Sequence, residues 1–369
     1  MENIELSICI PTYKGGEMLK ICVEEILSYE GREIEVVVSD NASDDGSIEA
    51  LREIKDDRLK IYVNESNCGP FRNWYKALQR GNGRYLMLLY DNDHLIVENL
   101  PAYLDLLRGT DYDVIRNAYA NRERIAGPVT CAHWLFYAYI FSHASMVAYR
   151  KKAFDSFKPL EKSFEVEFCS YPYYIWDIQI LCQKPIHMKA CYINGDIEIM
   201  RIGKLTDKKP SRTIVVLEGK NIPAPFTFDN AVYYFDKYTD YLRTVYTNDK
   251  DVNYWYCNLY RGLLFMGTLF FYEHMNNPQS RERYGVYVKN EEDIDYIQLN
   301  DVFYAHAKEL AKTWCKARSL NLRLYLITCQ NRLLFKLNHV YERNFKNPRY
   351  FCGCVINRFL SKLICIIIS

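Results

Sequence analysis

The sequence lacks the glycine motifs that cradle phosphates in the common nucleotide-binding folds. No G-x-x-x-x-G-K-[ST] segment occurs in the 369 residues, and no G-x-G-x-x-G segment follows the first predicted strand. A P-loop and a dinucleotide-binding fold are therefore disfavoured. The 13 cysteines are odd in number and irregular in spacing, so they predict neither a disulfide framework nor a zinc site. They fit a reducing cytosol, in which most of them pack as small apolar side chains.

Acidic residues are nearly absent from the end of the chain, where residues 312–369 contain eleven lysines or arginines and a single acid, Glu342. Residues 1–311 contain 36 basic and 45 acidic residues, so the net charge of +1 hides an acidic body and a basic tail. A split of this kind predicts an anionic partner for the tail. We expect a membrane surface and no nucleic acid, because the tail also has an apolar face.

No apolar run is long enough to predict a membrane-spanning helix, which requires about 20 residues. Within 355–368, apolar side chains fall on one helical face, and Arg358 and Lys362 interrupt the run. This pattern predicts an amphipathic helix that lies on an anionic membrane surface. The open alternative is a C-terminal helix docked on the acidic body. Early acids and a short strand-like run in residues 1–14 predict no signal peptide, so we expect a cytoplasmic protein, peripheral at the inner face of the membrane.

Strands and helices alternate over the first 90 residues, and this alternation predicts βαβ units with a mostly parallel sheet. Short apolar runs mark the strands, and apolar residues at helical spacing mark the helices. The predicted strands are Leu6–Ile10, Ile34–Val38, Leu59–Val63 and Tyr85–Tyr90, and the predicted helices include Met18–Tyr29 and Phe71–Arg80.

The rest of the chain is less regular. Asn194-Gly195 predicts a hairpin turn between strands at 189–193 and 197–201. Residues beyond 227 predict helices without clear strands. We expect an α/β domain at 1–210, a linker at 211–226, a helical region at 227–345 and the basic amphipathic tail at 346–369.

Each predicted strand ends in polar residues, and the clearest case is Asp91-Asn92-Asp93, which directly follows the strand Tyr85–Tyr90. The carboxyl ends of parallel strands share one edge of a sheet, where ligands bind in open α/β folds. Two carboxylates there suit a hard divalent cation, Mg²⁺ or Mn²⁺, which prefers oxygen ligands and can carry phosphate oxygens. The alternative is a polar loop in which Asp93 caps the next helix.

Four segments, in this order, resemble the family-2 glycosyltransferases: SICIPTYKGGEMLKICVEEIL, EVVVSDNASDDGS, NESNCGPFRNW and GRYLMLLYDNDHL. The resemblance covers the first 205 residues. It implies the GT-A fold, an α/β, Rossmann-like and mostly parallel sheet flanked by helices, followed here by a mainly α-helical C-terminal region. It also implies a nucleotide-sugar donor and a metal cofactor, Mn²⁺ or Mg²⁺.

The resemblance implies two groups of donor-binding residues at the ends of the strands. The residues lining the base and ribose would be Pro11, Thr12, Tyr13 and Asp40. A carboxylate at the last of these positions can accept a hydrogen bond from a uracil N–H. The loop that closes over the nucleotide would contain Asn67, Gly69 and Arg72.

The metal and the diphosphate would lie beside Asp91 and Asp93, with Asp93 favoured as the direct metal ligand. Asn92 stands where the family often has an acid. Arg201 follows the predicted hairpin, where the family often has basic residues near the diphosphate. The alternative for Arg201 is an exposed arginine at the end of a strand.

Asp177 best fits the position of the catalytic base, which the family has 80 to 100 residues after the metal motif. A base of this kind takes the proton of the acceptor hydroxyl during transfer with inversion. Glu165 and Glu167 are the competing residues, and a helix cap is the structural alternative for Asp177.

These features predict an inverting, metal-dependent glycosyltransferase that uses a nucleotide-diphosphate sugar, with UDP favoured. The acceptor would be a saccharide or lipid-linked molecule in cell-surface polysaccharide or glycan biosynthesis. The alternative is a non-catalytic GT-A-like module that binds a nucleotide sugar or glycan in an assembly. The acids at 40, 91, 93 and 177 favour the enzyme, because a binding module needs no base.

Overall fold

A computed structural model describes the α/β part of the chain and a set of helical residues beyond it. The described residues are 4–117, 127–129, 145, 147–159, 161–164, 191–194, 197–201, 214–217, 220–223, 240, 243, 253, 256–257, 260, 264, 307–316, 323–330 and 332–333. The chain divides into two units, Met1–Ile222 and Pro223–Ser369.

The first unit alternates strands and helices as far as residue 108. Its first elements are β1 (Leu6–Thr12), α1 (Gly16–Leu27), β2 (Ile34–Asp40), α2 (Ser47–Arg52), β3 (Leu59–Val63), α3 (Pro70–Arg80), β4 (Tyr85–Leu88), β5 (His94–Leu95), a 3₁₀ turn (Val97–Asn99) and α4 (Leu100–Arg108). The later elements are β6 (Val114–Asn117), β7 (Gly127–Val129), β8 (Val147–Arg150), α5 (Lys151–Phe154), a 3₁₀ turn (Glu161–Phe164), β9 (Cys191–Asn194), β10 (Met200–Arg201), β11 (Ile214–Leu217) and β12 (Lys220–Pro223).

Eight strands form one sheet in the order β3-β2-β1-β4-β8-β6-β9-β7. Only β7 and β8 run antiparallel to their neighbours, so the other six strands share one direction. The mostly parallel, GT-A-like α/β sheet expected from the sequence is confirmed. Two small sheets pair β5 with β10 and β11 with β12.

The core explains why these segments form these elements. β1 and β2 are buried at every residue, as expected for central strands covered on both faces. α1 and α4 bury apolar side chains at helical spacing in the same core cluster. Burying a side chain such as Leu19 or Leu104 stabilises the fold by about 1.5–3 kcal/mol relative to leaving it exposed.

β1 extends through Pro11 to Thr12, two residues beyond its predicted end. Proline has no amide hydrogen to donate, and in a sheet it needs a side without a pairing strand. The Thr12 carbonyl accepts from Asn41 on the β2 side, so the Pro11 nitrogen faces the β4 side. Pairing with β4 ends at Cys9, and the missing donor of Pro11 therefore breaks no ladder bond.

The hairpin predicted around Asn194-Gly195 is wrong. β9 pairs with β6 and β7 in the large sheet, whereas β10 pairs with β5. The Asn194 amide donates to Asn117 Oδ1 and to the Ile197 carbonyl, each at 2.9 Å. Its side chain thus joins the end of β9 to Asn117 of β6 and to Ile197, and β9 and β10 pair with other strands.

In the second unit, every described residue from 240 onward is helical, which confirms the helical C-terminal region. The Tyr260 hydroxyl lies 2.7 Å from Thr328 Oγ1, and it donates to the Ala307 carbonyl at 3.1 Å.

The paired strands β11 and β12 occupy part of the predicted linker 211–226, and the tail 346–369 lies outside the described residues. Across the described part of the chain, no helix combines the length and apolarity that a membrane crossing needs.

Candidate active site

The carboxyl ends of β3, β2, β1 and β4 lie side by side, because these strands are neighbours and run parallel. β1 ends at Thr12, β2 ends at Asp40, and β4 leads into Asp91 and Asp93. The sheet edge predicted from the polar strand ends is therefore formed, and we refer to it as the carboxyl edge.

Thr12 and Asp91 are joined across this edge, since the Thr12 hydroxyl donates to Asp91 Oδ2 at 2.7 Å. Burial raises the pKa of the Asp91 carboxyl, the negative charge of Asp93 raises it further, and the Thr12 hydrogen bond opposes the shift. Gly15 leaves room for this contact. A Cβ at Gly15 would lie 2.5 Å from Thr12 Oγ1 and 3.1 Å from Asp91 Oδ2, so any side chain there would displace the pair.

Asp93 is almost completely buried, with 2% of its surface exposed, and its amide donates to the Tyr90 carbonyl at 3.1 Å. The chain then enters β5, where His94 pairs with Arg201 of β10. The His94 ring also contacts α1, with Nδ1 2.8 Å from Glu25 Oε2. The predicted metal motif is thus fixed by a tight turn before Asp93 and by a strand pair and a side-chain contact after it.

The donor set at this turn fits a hard divalent cation. Asp91 has no basic partner among the described residues, and a bound cation would relieve the cost of holding two carboxylates in a partly buried site. No group of three or more His, Cys, Asp or Glu side chains in the described residues could hold a metal by itself. Two carboxylates, with water and substrate phosphates completing the shell, are a common arrangement for Mg²⁺.

The loops after β1 and β2 contact each other. The Lys14 amide donates to Ser43 Oγ at 2.8 Å, and the Lys14 ammonium lies 2.8 Å from Asp44. Lys14 and Ala42 both have positive φ angles, 56° and 63°, which are uncommon for residues with a side chain. Such backbone persists where surrounding contacts fix it, as the contacts of Ser43 do here.

The predicted base-binding residues differ in their access to a ligand. Tyr13 is 49% exposed, whereas Pro11 and Thr12 are buried in β1. Asp40 is fully buried, and its two oxygens accept from the Ser43 amide at 3.0 Å and from the Ser43 hydroxyl at 2.5 Å. In this structure Asp40 therefore holds the loop after β2, and Tyr13 is the residue of this set that faces solvent.

The loop at residues 64–69, which we call the nucleotide loop, reaches the same edge. Asn67 Oδ1 accepts from Asn41 Nδ2 at 2.8 Å and from the Gly69 amide at 2.9 Å. Gly69 has φ 83° and ψ 161°, a conformation that is essentially confined to glycine. Arg72, predicted to lie in this loop, lies in the first turn of α3 instead. There it pairs with Glu161 at 2.5 Å and stacks on Phe164.

Residues 7–157 match the family model described as "Glycosyl transferase family 2". This segment belongs to glycosyltransferase family 2. The match begins at the second residue of β1 and ends at Phe157, three residues after α5, and it contains the whole carboxyl edge described above.

Two curated relatives and one solved structure illustrate the similarity. The chain is 27% identical over 122 residues to "GalNAc(5)-diNAcBac-PP-undecaprenol beta-1,3-glucosyltransferase" of Campylobacter jejuni, covering 32% of this chain and 40% of that protein. It is 23% identical over 124 residues to "UDP-Glc:alpha-D-GlcNAc-diphosphoundecaprenol beta-1,3-glucosyltransferase WfgD" of Escherichia coli, covering 32% and 49%. A Pyrobaculum calidifontis mannosyltransferase solved with GDP-Man and Mn²⁺ aligns with a TM-score of 0.49 at 12% identity, over 90% of this chain and 88% of that chain. The chain spans less than half the length of the curated relatives it matches.

The remaining residues named from the family pattern differ in how far the structure describes them. Asn92 is exposed in the turn between the two carboxylates. The backbone of Arg201 lies opposite His94, one residue after Asp93, which brings β10 to the metal motif. Asp177 and its competitors Glu165 and Glu167 lie outside the described residues, so the identity of the base stays a prediction.

Sequence reasoning assigned no role to several residues that support this edge. Gly15 and the buried Asn73 were not singled out, and the buried Asn41 and Asn64 were expected only as members of the polar strand ends. Asn41 and Asn64 directly follow β2 and β3, and that position was the available signal for both. Asn73 gives a weaker signal, since it is a polar residue on the buried face of α3.

Proposed function

We propose that this chain is an inverting, metal-dependent glycosyltransferase that transfers a sugar from a UDP-sugar to a lipid-linked saccharide. The observation that carries the proposal is the joined arrangement of Thr12, Asp91 and Asp93 beside the nucleotide loop. Membership of residues 7–157 in family 2 supports the reaction class. The names of both curated relatives include a diphosphate-linked undecaprenol, which supports a lipid-linked acceptor in cell-surface glycan biosynthesis.

Each residue has one task in this reaction. Asp91 and Asp93 would hold Mn²⁺ or Mg²⁺, and Thr12 fixes the orientation of the Asp91 carboxylate. When bound, the ion compensates the negative charge that develops on the leaving diphosphate. The nucleotide loop covers the nucleotide through Asn67 and Gly69, and Tyr13 offers an exposed ring to the base.

Asp177 would take the proton from the acceptor hydroxyl as that oxygen attacks the anomeric carbon of the donor. The new glycosidic bond forms on the face opposite the breaking bond to the diphosphate, so the configuration is inverted. The diphosphate leaves with the electron pair of the broken bond. Asp177→Asn should therefore keep donor binding and reduce transfer by about 10²–10⁴-fold.

The test is to incubate purified protein with UDP- and GDP-sugars in Mn²⁺, Mg²⁺ or EDTA, and to measure nucleotide release and binding. Metal-dependent hydrolysis of a UDP-sugar supports the proposal. Binding without hydrolysis or transfer, even with lipid-linked acceptors, would favour the non-catalytic module. Normal transfer by Asp177→Asn would assign the role of base to Glu165 or Glu167. A product that retains the anomeric configuration of the donor would contradict the inverting mechanism.

We also propose that the basic tail, residues 346–369, holds the enzyme at the inner face of the membrane, beside a lipid-linked acceptor. The excess of positive charge in 312–369 and the apolar stripe of 355–368 support this location. Truncation before Pro348 should release the protein from anionic liposomes and spare hydrolysis of soluble donor. Full-length protein that ignores anionic liposomes at low salt, or a truncated protein that unfolds, would favour a docked helix instead.

A further inference from the structure

A buried cluster of amide side chains lies beneath the carboxyl edge. Asn41, Asn64 and Asn73 expose 2%, 5% and 2% of their surfaces, and Ser39 is fully buried beside them. A buried polar group without a hydrogen bond costs about 1–3 kcal/mol, so a cluster of this kind is stable only when its members satisfy one another.

Asn73, on α3, is the centre of this cluster. Its Nδ2 donates to the Thr12 carbonyl at 3.2 Å and to the Ser39 carbonyl at 2.8 Å. Its Oδ1 accepts from Ser39 Oγ at 2.7 Å and from Asn64 Nδ2 at 3.0 Å. These four bonds use the full capacity of one amide and join the ends of β1, β2 and β3.

One branch leads from Asn73 to the metal motif. Asn73 holds the Thr12 carbonyl, and the Thr12 hydroxyl donates to Asp91 Oδ2. The position of one carboxylate in the predicted metal site therefore depends on a helix residue that does not contact it.

A second branch leads from Asn73 to the nucleotide loop. Asn64 Nδ2 donates to Asn41 Oδ1 at 3.2 Å. Asn41 Nδ2 then donates to Asn67 Oδ1 at 2.8 Å and to the Gly69 carbonyl at 3.3 Å. The loop is thus connected to the strand ends through the side chains of Asn64 and Asn41, and Asn64 Oδ1 also accepts from the Arg80 guanidinium at 2.9 Å.

We infer that Asn73 is a positioning residue of the donor site, which sets Asp91 and the nucleotide loop at the spacing that one nucleoside diphosphate requires. The inference rests on the proposed function. Asn73 acts through Thr12 on the metal side and through Asn41 on the nucleotide side, and it binds neither ligand itself. A small misplacement of binding groups is enough to weaken a site of this kind.

Asn73→Asp tests this role with little change of shape. The substitution keeps Oδ1 as an acceptor and replaces the Nδ2 donor by an oxygen that faces the Thr12 and Ser39 carbonyls. Asn82→Asp is the matched control, because Asn82 is exposed in the turn after α3. Both variants are made in the full chain and compared for UDP affinity in Mn²⁺, donor KM and kcat in hydrolysis, and Tm.

For Asn73→Asp we expect the UDP dissociation constant and the donor KM to rise at least about tenfold, with kcat at saturating donor within about threefold of wild type. Asn82→Asp should match wild type. A purely structural role would lower the folded fraction, so that kcat falls while KM and UDP affinity stay unchanged, and that result would overturn the inference.

Two further outcomes are decisive. If the wild-type chain binds no UDP in Mn²⁺, the proposed function fails and the inference falls with it; if wild type binds and Asn73→Asp binds equally well, only the inference fails. If Asn73→Asp does not fold, Asn41→Asp takes its place, because it removes the donors to Asn67 and Gly69. Asn41→Asp should weaken UDP binding at least about tenfold, and a variant that is unfolded or binds normally would overturn the inference.

Discussion

At the amino edge of the eight-stranded sheet, arginines are paired with carboxylates, whereas at the carboxyl edge Asp91 has no basic partner among the described residues. Arg58 pairs with Asp56 at 2.6 Å, Arg84 with Glu5 at 2.8 Å, and Arg150 with Asp113 at 2.5 Å. Arg58 also donates to the carbonyls of residues 27, 29 and 31. These contacts hold the start of the sheet together.

A cavity of about 850 Å³ lies at the amino edge and is lined by many basic residues, including Arg58, Arg84 and Arg150. Their charges are largely balanced by the carboxylates just named. At the carboxyl edge, the Asp91 carboxyl has a hydroxyl partner and no basic partner among the described residues, and burial raises its pKa, with the charge of Asp93 adding to the shift. Unbalanced negative charge at the carboxyl edge therefore identifies the candidate site, whereas the size and the basic lining of a cavity do not.

Removing a charge at the carboxyl edge should affect binding most. Asp93→Asn should weaken UDP binding in Mn²⁺ by about a hundredfold, or about 2.7 kcal/mol, because the metal loses a charged ligand. Isothermal titration with and without metal measures the effect, and Tm serves as the control for folding. Unchanged UDP affinity in Mn²⁺ would show that Asp93 is only a cap for the turn.

Filling the space under Asp91 should affect both stability and binding. Gly15→Ala should destabilise the fold by about 1–3 kcal/mol and weaken metal-dependent UDP binding, because the new methyl displaces Thr12 and Asp91. Gly16→Ala is the matched control. Gly16 has φ 55° and nothing within 4 Å of an added Cβ, so this change should cost about 1–2 kcal/mol in stability and leave UDP affinity unchanged. Equal UDP affinities for the two variants would contradict the close packing at Gly15.

Removing a charge at the amino edge should give the opposite pattern. Asp113→Asn should lower the free energy of unfolding by about 1–2 kcal/mol, because Arg150 loses its buried anionic partner. UDP affinity in Mn²⁺ should stay at the wild-type value. Denaturant unfolding measures the stability of the variant, and nucleotide titration on the same sample measures its UDP affinity. A fall in UDP affinity would show that the two edges are not independent.

The smallest effect is expected at the Asp56–Arg58 pair. The Arg58 hydrogen bond lowers the pKa of Asp56 below its ordinary value. The ionised form therefore stabilises the fold above the ordinary aspartate range, and this contribution is lost as pH falls through the lowered pKa. Asp56→Asn should cost about 0.5–1 kcal/mol at pH 7 and flatten the acid side of the stability curve. A variant with the same acid dependence as wild type would show that the pair contributes nothing measurable.

The carboxyl edge could be predicted from the sequence because strand ends are local signals. A buried apolar run followed by Asp91 and Asp93 indicates both a strand and the edge at which it ends. The length of β1 could not be predicted in the same way. Pro11 continues that strand only because β4 stops pairing at Cys9, and this depends on a segment nearly 80 residues away.

The buried amides could not be predicted, because a single asparagine is not part of a periodic sequence pattern and its hydrogen-bond partners are not fixed by spacing in the sequence. Asn73 contacts groups 34 and 61 residues away, and those distances in sequence depend on the assembled sheet. The wrong hairpin has the same origin. Asn194 was interpreted as a turn residue, whereas its side chain bonds to Asn117, which lies 77 residues away.

The pairing of β5 with β10 has a consequence for how this domain can vary. The two strands hold together the ends of the segment between His94 and Arg201, which contains the predicted base Asp177. When the two ends of a segment are held together, the entropic cost of closing the segment grows only with the logarithm of its length. Doubling the length of the segment therefore costs only about 0.6 kcal/mol of stability. Insertions can therefore accumulate between the two strands at little cost to stability, while Asp91 and Asp93 beside the junction keep their geometry.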